Sequence, residues 1–199
     1  MNANEYNQRQ IDDGVIDGAH ITAMATIYQE ANGLEVDGKF GPNTAAKVDS
    51  NDPDRVTRAR SAVGRGTKYI LGKGGWNPQA EHPGAQCDCS GFISWVISKP
   101  RNYEYGSHSW ISTTDIYNDG RDGNHLFKQI STPEPGCIVV YGDAGGRQGH
   151  CAIVTNTRPL EGIDCSSSQS RKTGDAISER SITFFLKKNS IFVVPVGDD

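Results

Sequence analysis

Residues 87–97, CDCSGFISWVI, decide how this chain is read. Small polar positions give way to Phe92, Ile93, Trp95, Val96 and Ile97, apolar on nearly every side, so a helix buried in a core is expected. Asp88 is a natural N-cap for it. Cys89 then falls in the first turn, where unpaired N–H groups and the positive end of the helix dipole favour a thiolate. A lowered thiol pKa exposes the reactive form, and the same N–H groups can receive the oxyanion made when a thiolate attacks a carbonyl.

Such a nucleophile needs a base, and the chain offers His20, His82, His108, His125 and His150. His82, His108 and His125 lie in polar, turn-rich stretches and read as solvated loop residues, and His20 lies far upstream. His150 follows the glycines at 145, 146 and 149 and opens the apolar run HCAIVT, which places it at the start of a strand. Around it, CIVVY (137–141), SITFFL (181–186) and SIFVVPV (190–196) read as further antiparallel strands. Helices precede strands, an α+β order with helices packed on a small antiparallel sheet. A third polar residue should orient the imidazole. Ile163, Asp164 and Cys165 fall on the strand returning from the hairpin that His150 begins. Asp164 is the expected partner, with Cys165 as the alternative, because a one-residue slip of register exchanges the faces.

Upstream, Ala23, Met24, Ile27, Tyr28 and Ala31 have helical spacing and are expected to form a buried stripe. Gly33, Gly38 and Gly41 punctuate a compact loop, and Asn43 or Thr44 can cap a second short helix through Val48. Asp52 and Pro53 read as the cap and first position of the next helix, whose inward stripe is Val56, Ala59 and Val63. A boundary follows there, giving a small all-α module at 1–51 and a larger domain at 52–199. One or two units suit a chain of 199 residues.

A formal charge of −4 with scattered Lys and Arg gives no field for nucleic acid, and no apolar run suits insertion into a membrane. The first thirty residues are polar and acidic, unlike a secretory signal. Five cysteines leave at least one free thiol. Their spacing, with one lone Cys-x-Cys, does not suit zinc, so neither a metal nor any other cofactor is expected. Asp37 and Glu35 alone are too few carboxylates for calcium. Cys137 and Cys151 read as small buried hydrophobes, Cys151 facing away from His150. Cys87 reads as a loop residue, with resolution of an oxidised Cys89 as the other reading.

Two resemblances carry these residues further. Leu34 to Val48, with Val36, Asp37, Gly38, Phe40, Gly41, Pro42 and Thr44, resembles the peptidoglycan-binding repeat of wall hydrolases, which implies wall binding by Asp37, Gly38, Phe40 and Gly41. Asp88-Cys89-Ser90-Gly91, Pro135-Gly136 before CIVVY, and Gly149-His150 before AIV resemble the NlpC family of cell-wall cysteine peptidases. Tyr69, Gly72, Gly74, Gly75 and Trp76 match the approach to its nucleophile. The resemblance implies a stripped-down papain fold and hydrolysis of stem-peptide bonds, commonly between D-glutamate and a diamino acid. Cys89 is then nucleophile and His150 base, while Tyr69, Asp88 and Ser90 line the acyl side, the last two helping to hold a free amino end. The chain departs from the family's usual His, Asn or Gln as third residue and has Cys137 where an acid is usual. Rival readings are a CHAP-type N-acetylmuramoyl-L-alanine amidase, a transglutaminase-like acyltransferase, and a catalytically dead wall-binding protein.

The expected partners are peptidoglycan or muropeptides, together with an immunity protein or a phage or secretion apparatus. Synthesis in the cytoplasm without a signal peptide implies action in the periplasm or wall after phage lysis or type VI-like secretion, as a lysin or antibacterial effector.

Overall fold

The computed structural model describes residues 9, 11–32, 34–41, 44 and 53–196. It forms two compact units, residues 1–51 and 52–199.

In the first unit, helix α1 (Gly18–Asn32) starts where the Asp17 carboxylate accepts from the amides of Ala19 and His20, each at 3.0 Å. The expected apolar stripe is not its buried face. Met24 and Ile27 are more than half exposed, and among the described side chains of the helix, which exclude that of Ala31, the buried ones are Ala25 and Gln29. The reason is polar. Gln29 accepts from the amides of Asp37 (3.2 Å) and Gly38 (2.9 Å) and donates to Asp37 Oδ1, Lys39 O and Thr44 Oγ1 at 2.8–3.0 Å. A glycine loop lying on a helix needs its backbone groups satisfied, and one buried amide does this where an apolar side chain could not. Gly38 has φ +67° and lies so close to the helix that a Cβ would sit 2.8 Å from Thr22 Cγ2. Phe40, in the same loop, is 55 % exposed. Of the helix expected over 43–48, only Thr44 lies within the described residues, and the Asp52 cap lies outside them.

The second unit is α+β, as expected. Helix α2 (Pro53–Ser61) buries Val56 and Ala59, but Ala62 takes the inward place assigned to Val63, because the chain has already left the helix at Ser61. A short parallel pair, β1 (Lys68–Tyr69) and β2 (Gln86–Cys87), leads into helix α3 (Cys89–Val96), and helix α4 (Thr113–Asn118) follows. The main sheet comprises β3 (Phe127–Ile130), β4 (Ile138–Tyr141), β5 (His150–Thr157), β6 (Leu160–Cys165), β7 (Ile177–Ser181) and β8 (Ile191–Pro195). Its order is β3-β8-β4-β5-β6-β7 and every pairing is antiparallel. Helix α5 (Ser167–Thr173) links β6 to β7.

One sheet face, including Val140, Cys151, Ile153, Ile163 and Cys165, packs in a single core with Phe92, Ile93, Trp95 and Val96 of α3. The other face carries Val139, Ala152, Val154 and Leu160 against Ile182 and Phe185. The expected strand at SITFFL is a correction: β7 ends at Ser181, and Thr183–Lys187 is a 3-10 turn. That turn buries Phe185 under the sheet instead of extending its edge. Among the described residues no helix is long and apolar enough to cross a membrane.

Candidate active site

All eight residues of α3 are buried, and the helix starts as its sequence dictates. Asp88 has extended geometry, and its Oδ1 accepts the Gly91 amide at 2.8 Å. Capping takes up that N–H and leaves the amides of Cys89 and Ser90, which the helix cannot satisfy itself, as donors beside the Cys89 sulfur. Close packing of the 72–76 loop on this helix start requires glycine. A Cβ on Gly75 would lie 2.4 Å from Gly91 O, and one on Gly91 would lie 2.4 Å from Lys73 O.

His150 is the first residue of β5 and pairs with Tyr141 of β4. Ile153 pairs with Ile163, which sets Ala152 opposite Asp164 and puts Asp164 on the sheet face shared by His150. His150 Nε2 lies 2.7 Å from Asp164 Oδ2. Asp164 is fully buried. Cys165 faces the other way and donates to Cys87 O at 3.4 Å. With Nε2 held by the carboxylate, Nδ1 is the ring nitrogen left to exchange a proton with Cys89. Phe185 stacks on the imidazole at 5.7 Å with an interplanar angle of 13°, and Tyr141 and Phe184 border it, so the ring has little freedom to turn.

The electrostatics favour an ion pair. The Cys89 thiol is lowered to about 5, first by a hydrogen bond with Cys151 and then by the hydrogen bond and charge of His150, against the opposing effect of burial. Burial would lower His150, but hydrogen bonds with Asp164 and Cys89 raise it to about 9. Asp164 is held below the usual carboxylate range: burial acts upward and is outweighed by His150 and Arg180. Cysteine thiolate and imidazolium therefore coexist at neutral pH, the arrangement required for nucleophilic attack on a carbonyl.

Of the side chains expected to line the acyl side, Tyr69 is half-buried and its hydroxyl accepts from Gln148 Nε2 at 3.2 Å. Burial, followed by the charges of Cys89 and Asp88, raises its pKa, so the hydroxyl keeps its proton. Asp88 and Ser90 floor the cleft, but their oxygens are committed. Asp88 accepts from the Gly72 amide (2.6 Å), from Gly91, and from Arg101 through both carboxylate oxygens (2.7 and 2.8 Å). Ser90 Oγ accepts from Arg101 at 2.9 Å and lies 3.2 Å from Asp88 Oδ1. A buried carboxylate saturated in this way does not offer itself to a free amino end. Arg101 and Arg180 were not singled out from sequence, because each needs a long-range partner to acquire meaning. The only local signal was a buried acid at 88 that had to find a cation.

The other histidines are corrected in part. His108 is partly buried and 3.1 Å from Asp115, His125 is 2.9 Å from Asp119, and His82 is 3.2 Å from Thr67 Oγ1. Each is a loop residue with a polar partner; His125 is exposed as expected, while His82 and His108 are partly buried. Cys151 is buried beside Cys89, and burial keeps its own thiol protonated, so it is more than core filler. Cys137 is pushed up to about 12 by burial. Cys87 donates to Asp88 O at 3.3 Å and neighbours Cys165; all five cysteines are free thiols. Among the described residues no set of three His, Cys, Asp or Glu side chains is arranged to hold a metal ion.

Two openings flank the pair. On the Cys89 side a cleft of about 490 Å³ is walled by Leu71, Ser90, Trp110, Thr113, Arg147 and Gln148. On the His150 side one of about 360 Å³ is bordered by Tyr69, Ser166, Arg180 and Phe184. An extended substrate can thus lie across the sulfur. No curated protein matches the chain. Residues 77–168, which contain Cys89, His150 and Asp164, match the family model described as CHAP domain, and that match supports a cell-wall peptidase or amidase family whose members act as peptidoglycan hydrolases.

Proposed function

We propose that this chain hydrolyses an amide bond of peptidoglycan with Cys89 as nucleophile, His150 as acid and base, and Asp164 as the group that orients the imidazole. The observation that carries the reading is the linked set of Cys89, His150 and Asp164 at the floor of an open cleft. The thiolate attacks the carbonyl carbon, and the oxyanion points to the first-turn amides of α3. His150 Nδ1–H protonates the leaving nitrogen as the C–N bond breaks. Water, deprotonated by His150, then attacks the acyl-enzyme and the C–S bond breaks.

The bond proposed is the one between N-acetylmuramic acid and L-alanine. Saturation of Asp88 by Arg101 argues against the free-amino-end contact that the NlpC resemblance implies. The half-exposed Trp76, set edge-on to Trp110 at 5.1 Å with Trp110 in the cleft wall, offers an apolar ring face suited to a sugar. A second reading, the D-glutamyl-diamino acid endopeptidase, is favoured by Arg147, a cation in the same cleft that suits the α-carboxylate of D-glutamate. Mass spectrometry of digested muropeptides separates the two. Free stem peptides with an L-alanine amino terminus and intact glycan are expected, whereas fragments cut within the stem would replace the first reading by the second.

The 1–51 unit is proposed to hold the wall through the loop around Asp37, Gly38, Phe40 and Gly41, where Phe40 stands exposed. The proposed place of action is the periplasm or wall, reached after phage lysis or type VI-like delivery, with an immunity protein in the second case.

A pH dependence follows from the ion pair. Adding a proton to Cys89 below about 5 destroys the nucleophile, and losing one from His150 above about 9 removes the acid. A bell-shaped kcat/KM is expected, rising through the first value and falling through the second, both belonging to the coupled pair. A profile still climbing above pH 9 would show that a neutral thiol and neutral imidazole are the resting pair.

A further inference from the structure

The sequence offered a cysteine, a histidine and an acid, but the acid does not stand alone. Asp164 accepts from Arg180 Nε through Oδ1 at 3.0 Å and from Arg180 Nη2 through Oδ2 at 2.5 Å, and Oδ2 is the same oxygen that holds His150 Nε2. Arg180 comes from β7 and Asp164 from β6, with Gly162 pairing to Arg180 and Asp164 to Ser178, so the guanidinium reaches along the sheet face to the carboxylate. Its Cζ lies 5.2 Å from the centre of the Phe184 ring, a member of the aromatic pair that packs on His150. Arg180 also borders the opening on the His150 side.

We propose that Arg180 is a positioning residue of the hydrolytic reaction, gripping both oxygens of Asp164 so that the one facing His150 is ionised and fixed in direction. This inference rests on the cysteine mechanism proposed above. A fully buried carboxylate with a single imidazole partner has two ways to fail. It can take up a proton, or it can rotate about its terminal torsion and lose the ring. A bidentate guanidinium prevents both, since its planar fork matches the carboxylate and keeps its charge at every accessible pH. The expected consequence reaches the sulfur by relay: an ionised Asp164 supports imidazolium at His150, which supports thiolate at Cys89.

Other ionisable groups near this chain are few. Tyr141 on β4 lies within electrostatic reach of both Asp164 and Cys89, Tyr69 on β1 and Asp88 at the α3 cap lie near Cys89, and Cys151 and Cys165 flank it from β5 and β6. Glu179, next to Arg180, is turned to Arg60 at 2.7 Å and does not compete for the guanidinium. None of these supplies a second cation to Asp164.

The test reads Cys89 directly and needs no substrate. The rate of alkylation of Cys89 by iodoacetamide, followed by peptide mass spectrometry from pH 4 to 9, gives the midpoint at which thiolate forms. Arg180→Met is expected to move that midpoint up by about half a pH unit or more, which is about threefold in rate below the midpoint. Arg180→Lys, which keeps the charge but not the fork, should recover part of the shift. Should Arg180→Met fail to fold, Arg180→Gln, still a hydrogen-bond donor, takes its place in the same comparison. A folded Met or Gln variant with the wild-type midpoint would overturn the proposal and leave Arg180 a structural ion pair. Because alkylation reports the thiolate alone, that failure is separable from an error about which bond of the wall is cut.

Discussion

Cys89→Ala is expected to stop hydrolysis of isolated peptidoglycan, with kcat falling by about four to six orders of magnitude as when a nucleophile acting in a linked set is removed. The substitution deletes one buried sulfur from a tightly packed helix start. It should cost about 1 kcal/mol of stability, too little to unfold the domain. The Asp88 cap, its ion pair with Arg101 and the Gly75 contact do not involve the sulfur and should persist. Loss of activity with unchanged circular dichroism and unchanged retention on sacculi is therefore the expected combination. Hydrolysis at the parent rate would remove Cys89 as nucleophile, and loss of sacculus binding would show that the catalytic cleft, not the 1–51 unit, holds the wall.

The second large effect lies in Arg101, which is 3 % exposed over an Asp88 that is 1 % exposed. Its guanidinium makes two bonds to the carboxylate, one to Lys73 O at 2.8 Å and one to Ser90 Oγ, and it lies over Trp110 at 5.0 Å. Replacement by Met retains much of the volume but strands a buried negative charge. Breaking one side of a buried pair typically costs about 3–5 kcal/mol, against a total of about 5–15 for a domain. Arg101→Met should lower the guanidinium midpoint of the 52–199 unit by a corresponding amount, and it should reduce activity because the same carboxylate caps α3. Adding Asp88→Asn removes the stranded charge and is expected to recover part of the loss. A single variant losing less than about 1 kcal/mol would mean that water reaches Asp88 and replaces the arginine.

Much of this was legible in the chain itself. The N-cap at Asp88 followed by an all-apolar helix, the glycine stretch before His150 and the alternation of short branched segments are local patterns, and local patterns specify elements before any tertiary contact exists. Cys89 and His150 stand out in the sequence on those grounds. An apolar run does not by itself fix an element, because its burial depends on tertiary context. SITFFL has the composition of a strand, yet it turns because Phe185 finds its burial beneath the sheet and against His150. The α1 stripe looked like a core and stands outward, since a loop rich in backbone polar groups selected Gln29 instead.

The sequence by itself determined the elements that carry the nucleophile and base, because capping and periodicity act over a few residues. Tertiary structure decided everything that depends on pairing across distance. The β5–β6 register turned Asp164, and not Cys165, toward the imidazole. The fold also delivered Arg101 to Asp88 and Arg180 to Asp164, from 13 and 16 residues away. A buried charge announces in sequence only that it needs a partner. Which residue answers is settled by the strand register and loop path that bring two side chains within 3 Å of each other.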